Sequence, residues 1–177
     1  MMMRDLFFGF LIALSVSGLA TASEMKTVSM LDGKVELSIP AVFLPMSDDM
    51  KKIKYSGANP PRDIYTDERG TVNIGANIAA YPKGKSMAEM LSLLSTSMER
   101  VRNISSWDHK ELRVIGGREY GVLECTVKTL DTEVYNFIYF TRSGDKLIVI
   151  TTNSTVEKLS EWKAALMESV ESTKIVE

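Results

Sequence analysis

Chemistry needs side chains that can hold a proton, a metal or a reactive bond, and this chain offers few. It has one histidine, His109, and one cysteine, Cys125. Asp108 precedes His109, and a histidine–carboxylate pair can orient a general base. Adjacent strand residues, however, point to opposite faces. His109 is therefore expected as an exposed loop or strand-start residue after Trp107. Cys125 is in phase with Leu123 and Val127, with Glu124, Thr126 and Lys128 opposite. That phase predicts a buried, inert thiol, whereas a nucleophile wants a base and an exposed electropositive niche. One histidine and one cysteine fall short of the roughly three or four ligands of a zinc site. No Walker, G-x-S-x-G or G-x-G-x-x-G pattern occurs. The scattered carboxylates pick out no glycosidase-like pair. The expectation is a protein that is not an enzyme, with no catalytic residue, metal or cofactor. The alternative, an enzyme with an unfamiliar site, would be revived by loss of activity on changing His109 or Cys125.

The most unusual stretch is KYSGANPPRDIYTDERGTVNI, residues 54–74. Lys51, Lys52, Lys54 and Arg62 make a local basic cluster, but Asp48, Asp49 and Asp63 flank it. That mixture reads as a solvated surface ahead of an anion site. No helix N-terminus follows the stretch, so it is not a phosphate loop. Its second half suits a hairpin, which leaves Tyr55 to Arg62 unexplained by folding. Aromatic and arginine anchors are what a protein-binding surface uses. The candidate partner-binding residues are Tyr55, Arg62, Tyr65 and Arg69 of the loop, with Asn73 and Asn77 on the strand behind it.

The elements that must position these residues follow from turn signals and periodicity. Lys26–Met30 is a short strand, Asp32-Gly33 a hairpin turn, and Val35, Leu37 and Ile39 the buried face of the next strand. Pro40 and Pro45 frame an edge or irregular segment. Ser47 caps a short helix with Asp48 and Asp49 in its first turn. Ile64-Tyr65 is strand, Thr66–Gly70 a hairpin loop, and Thr71–Tyr81 a strand with unequal faces. Val72, Ile74, Ala76, Ile78 and Ala80 face a core. Asn73, Gly75, Asn77, Ala79 and Tyr81 form a small, polar face that something approaches closely.

Ser86 and Glu89 form a capping box for a helix striped by Met87, Met90, Leu91, Leu94, Met98 and Val101. Three of the eleven methionines, Met87, Met90 and Met98, sit in that helix. Their helical period favours core packing over a soft binding groove. Strands then run over about 108–115, 118–129, 133–142 and 146–152, joined by short turns in an antiparallel meander. Residues 135–140 and 147–150 are apolar on both faces, which marks central strands. Ser154 and Glu157 suggest a second capping box, for a helix carrying Val156, Leu159, Trp162, Leu166 and Val170. The fold class is α+β: an antiparallel sheet of about six or seven strands flanked by helices.

This order of elements resembles a known family. A strand ends in L-S-I-P, and a P-x-x-x-Y-x-x-x-x-G-x-V-N-I hairpin follows, here Pro61, Tyr65, Gly70, Val72, Asn73 and Ile74. A capped helix, a meander and a C-terminal helix complete it. The chain is similar over residues 33–175 to the DcrB-like group of the Mog1/PsbP-like fold. That resemblance implies an αβα-type sandwich and non-enzymatic accessory work. The roles it spans are binding a small GTPase, assisting a photosystem, supporting phage or envelope processes, and chaperoning secreted toxins. It carries over no catalytic residue. The exported form departs from the cytosolic chaperones and GTPase binders of the fold.

The N-terminus sets the compartment. Arg4, the apolar run Leu6–Leu19 and Ala20-Thr21-Ala22 read as a cleavable signal peptide over residues 1–22. The run is shorter than the ~20 residues that span a bilayer, although Asp5 beside Arg4 keeps an uncleaved anchor as the alternative. The sole cysteine lies far from the cleavage site, so the protein is not a bacterial-type lipoprotein. Residues 23–177 form one α+β domain, large enough to bury a core without staples. One cysteine permits no internal disulfide. The leader removes one charge of each sign, so the net charge stays at −2, with no basic footprint for nucleic acid and no strong pull toward anionic lipid. The expectation is a periplasmic or secreted module that binds a protein of the cell envelope. Its most concrete form is an immunity or inhibitor protein against an envelope-acting toxin or hydrolase. The alternative is a DcrB-like envelope accessory or stress factor that takes a small apolar ligand.

Overall fold

A computed structural model describes residues 24–55, 60–101 and 103–177. The leader expected over 1–22 and the middle of the 55–62 loop lie outside them. Strand β1 (Met25–Met30) turns into β2 (Val35–Pro40) in antiparallel register, Met30 opposite Val35. Leu31, Asp32 and Gly33 all take positive φ in that turn. Val35, Leu37 and Ile39 are buried as their alternation requires. Next come the two-residue β3 (Leu44–Pro45) and helix α1 (Asp48–Lys54), whose Met50 N–H donates to the Ser47 cap. Strand β4 (Asp63–Thr66) and β5 (Val72–Ala80) form the expected hairpin, with Gly70 at φ +70°.

Helix α2 (Met87–Val101) starts in the predicted box: Ser86 N–H donates to Glu89 Oε2 at 2.8 Å, and Glu89 N–H to Ser86 Oγ at 3.2 Å. The meander is β6 (Ile104–Ile115), β7 (Arg118–Lys128), β8 (Glu133–Ser143) and β9 (Lys146–Thr155). Helix α3 (Val156–Glu171) and the two-residue β10 (Lys174–Ile175) end the chain.

Seven strands pair as β3-β4-β5-β9-β8-β7-β6, all antiparallel. The doubly apolar β8 and β9 lie inside, as expected. A second sheet, β1-β2-β10, was not expected. It stacks with α3 against one face of the large sheet, where Leu37, Ile39, Ile74, Phe137, Tyr139, Ile150 and Leu166 share a core. Helix α2 covers part of the other face, its Met90 packed with Leu123, Phe140 and Leu147 of the sheet.

Four local expectations need correction. The second capping box does not form. Ser154 belongs to β9, is buried, and donates to Thr155 O, and no side chain caps α3. Val156 is exposed, so the α3 stripe starts at Leu159 and Trp162. Ala80 is exposed, because the core-facing run of β5 ends at Ile78. Strand β6 also begins four residues before the expected start, and two register shifts, between Ile104 and Ser106 and between Trp107 and His109, broke its sequence pattern.

Candidate functional site

The small, polar face of β5 opens into a groove of about 380 Å³ on the α2 side of the large sheet. Four strands build it. β5 supplies Gly75 and Asn77, β9 Val149, Thr151 and Asn153, β8 Val134, Asn136 and Ile138, and β7 Val127. Met98 of α2, Tyr55 and Pro61 also line it. Alternation explains the selection: these strand side chains share the face opposite the main core.

Its edge is set by the hairpin turn and α1. Asp67 accepts from Val72 N–H at 2.9 Å and from Thr71 Oγ1 at 2.7 Å, which shapes the β4–β5 loop. Lys54 Nζ donates to Gly70 O. Burial lowers the pKa of that amine, with Asp67 opposing. The Lys54–Gly70 contact ties the end of α1 to the hairpin and so places Tyr55 at the rim. The close approach expected at the small face is made by the chain itself. A Cβ on Gly75 would lie 3.1 Å from Pro61 Cγ and 3.3 Å from Thr151 Oγ1.

Every described residue lining the groove is uncharged. Its carboxamides are half-committed. Asn136 Nδ2 donates to Val134 O at 2.9 Å. Asn77 Oδ1 accepts from its neighbour Ile78 N–H at 2.9 Å, and Asn153 Oδ1 accepts from Asn73 Nδ2 at 2.8 Å. An apolar wall with a few placed amides and hydroxyls is the composition of a site for a neutral ligand. Among the described lining residues none pairs a nucleophile with a base.

The six residues singled out from sequence do not form one surface. Tyr55 and Asn77 line the groove. Asn73 is buried beside it, on the same face of β5, and its Nδ2 donates to Asn153 of the adjacent strand. Tyr65 is opposite Ile74 and packs into the main core on the far face. Arg62 pairs with Asp32 at 2.5 Å in the β1–β2 turn. Arg69 is exposed in the hairpin turn.

A second cluster escaped the sequence reading. Glu124, on the strand face opposite Cys125, is only 7% exposed. Its Oε1 accepts from Tyr135 OH at 2.5 Å. Lys163 Nζ of α3 lies 3.7 Å from the same oxygen, and His109 Nε2 lies 3.8 Å from Oε2. Burial, then the Glu124 contact, raises the pKa of the Tyr135 phenol well above its ordinary value. The cluster fastens α3 to the sheet. His109 reaches it because Asp108 falls at a bulge: Trp107 pairs with Cys125 and His109 with Glu124. His109 is therefore a mid-strand residue facing a carboxylate of the next strand, and not a strand-start residue. The Cys125 thiol is buried as expected.

No protein-family model and no curated protein matches this chain. Solved structures do. Cyanobacterial PsbP from Synechocystis superposes with a TM-score of 0.59 at 16% identity, covering 92% of this chain and 99% of that one. The Ran-binding protein Mog1p of Saccharomyces cerevisiae gives 0.57 at 13% identity, covering 87% and 96%. LpqN, involved in cell envelope biogenesis of Mycobacterium tuberculosis, gives 0.59 at 12%, covering 87% and 91%. At such identities the likeness is one of fold, and the fold is Mog1/PsbP-like.

Proposed function

We propose that this chain is a non-enzymatic binding module whose partner docks in the groove on the α2 face of the large sheet. The supporting observation is the neutrality of that groove in a chain of which 25% is charged. A charged group desolvated there would meet no counter-charge, so the site favours an uncharged, partly apolar segment. In this reading the module is exported and works in the cell envelope, and its partner is an envelope protein. An immunity or inhibitor role is the sharpest form, and a toxin gene next to this one would support it. The groove volume favours a second reading, since about 300–1,000 Å³ is the range of small-ligand pockets. A DcrB-like accessory factor that holds a small apolar ligand would use the same walls. The envelope role named for LpqN suits either reading.

A photocrosslinking side chain at Asn77, compared with one at Leu93 on the outer face of α2, tests the site in envelope extract. The Asn77 position should capture the partner, and Asn77→Lys should abolish recovery while leaving the fold intact. Equal capture at Leu93, or full recovery with Asn77→Lys, rejects the groove. Native mass spectrometry separates the two readings, because only the second leaves a small molecule on the purified protein.

A further inference from the structure

We propose that the outer edge of β6 pairs with the β6 edge of a second copy of this chain, antiparallel and centred on Leu112. β6 closes one end of the seven-stranded sheet and, among the described residues, pairs only with β7. Its register shifts end at His109, and from there to Ile115 the ladder is regular. A long, regular edge free of proline is the part of a sheet that recruits another strand.

The direction of the free backbone groups follows from the turn. Gly116 and Gly117 both have positive φ and form a two-residue loop between Ile115 and Arg118. In such a hairpin the closing pair is hydrogen-bonded. Ile115, Arg113 and Glu111 therefore spend their N–H and C=O groups on β7. Val114, Leu112 and Lys110 aim theirs outward.

Placing a second copy with Leu112 opposite Leu112 uses every outward group of this run. Leu112 bonds its own equivalent, and Lys110 exchanges bonds with Val114 of the second copy on both sides of the two-fold axis. The same register sets Glu111 opposite Arg113 twice, at positions without backbone bonds, where side chains approach most closely. Within one chain Arg113 already bonds Glu111, Nε to Oε1 at 2.9 Å. Pairing replaces that link by two cross-strand ones. Edge charges usually repel a second strand, but here their order is self-complementary. Leu112 and Val114, 40% and 69% exposed, lie on the other face of the strand, and the second copy would cover both.

Sedimentation equilibrium on the protein expressed from the full coding sequence, purified as the cell delivers it, tests this. The unmodified protein should dimerise. Glu111→Arg and Arg113→Glu should each raise the dissociation constant about tenfold, since each turns two attractive pairs into repulsive ones. The double exchange E111R/R113E should restore the unmodified value. Leu112→Pro should give a monomer with an unchanged circular dichroism spectrum, because the N–H it removes does not serve the β7 ladder. A monomeric unmodified protein, a dimer indifferent to the single reversals, or a double exchange as weak as the singles would each overturn the proposal.

Discussion

At the residue scale the chain uses absence of bulk as deliberately as bulk. Gly121 of β7 has an ordinary extended backbone and needs no glycine for its φ. It is small because the fully buried ring of Phe140 on β8 lies directly over its Cα: a Cβ there would sit 2.2 Å from Phe140 Cζ. Gly121→Ala must push that ring into the Met90–Leu147 cluster beneath α2. Overpacking of this kind costs about 1–3 kcal/mol. Urea unfolding should show that loss as a lower midpoint at unchanged slope, and an unchanged midpoint would mean that the cluster has room. The residue Gly121 shields is hard to see in sequence, since alternation places both residues inward without saying that they collide. Cys125 was legible because its neighbours in phase are apolar. Glu124 was not, because the partners that let it stay buried, Tyr135 and Lys163, are 11 and 39 residues away in sequence.

At the element scale the contrast between α2 and α3 separates a local signal from a local accident. Both begin with serine and glutamate three residues apart. At α2 the pair is outside the sheet and closes the box. At α3 the serine is still in β9, opposite Val72 of β5 and Tyr135 of β8, so its hydroxyl faces the core and cannot turn to the helix. Sheet pairing outranks capping there, and only the structure shows where the strand ends. The box at α2 has a titratable half. Hydrogen bonds from Ser86 N–H, from Lys85 and from the Ser86 hydroxyl, with the Lys85 charge, hold the Glu89 carboxyl down to about 2. An unfolded glutamate titrates near 4.3. The folded value is the lower one, so the stabilisation is complete above the unfolded value and is lost as pH falls through the folded one. The first turn of α2 should therefore fray between about pH 4 and pH 2. Glu89→Gln should remove that dependence. An NMR titration of the Glu89 side chain checks it, and a midpoint near 4 would show that the box is open in solution.

At the scale of the whole molecule, the class and most strand boundaries were readable, because helical and alternating periods are local properties. The strand order was not. β5 pairs with β9 across more than sixty residues of chain, and β2 pairs with both β1 and β10, choices that no local pattern records. The small sheet was missed for the same reason: β1 and β2 alternate like any hairpin, and nothing in them says that they leave the large sheet. Besides the shared core, two polar contacts tie their turn to the large sheet. Leu31 N–H donates to Asp63 Oδ2 of β4 at 2.6 Å, and Asp32 pairs with Arg62. Leu31 is a buried leucine at φ +57°, a conformation that L residues with bulky side chains rarely hold, so the Asp63 carboxylate clamps a strained turn. Asp63→Ala leaves that N–H without its acceptor and should cost about 1–3 kcal/mol. The two sheets share one core, so the loss should lower a single cooperative transition and not melt the small sheet first. Trp162, tilted against Phe43 with ring centroids 5.1 Å apart, reports on the small-sheet side, and Trp107, beside the α2 cluster, on the other. Fluorescence of each tryptophan, with the other replaced by phenylalanine, and far-ultraviolet circular dichroism should give coincident urea curves in Asp63→Ala. An early Trp162 transition would instead show that β1, β2 and α3 unfold as a unit of their own.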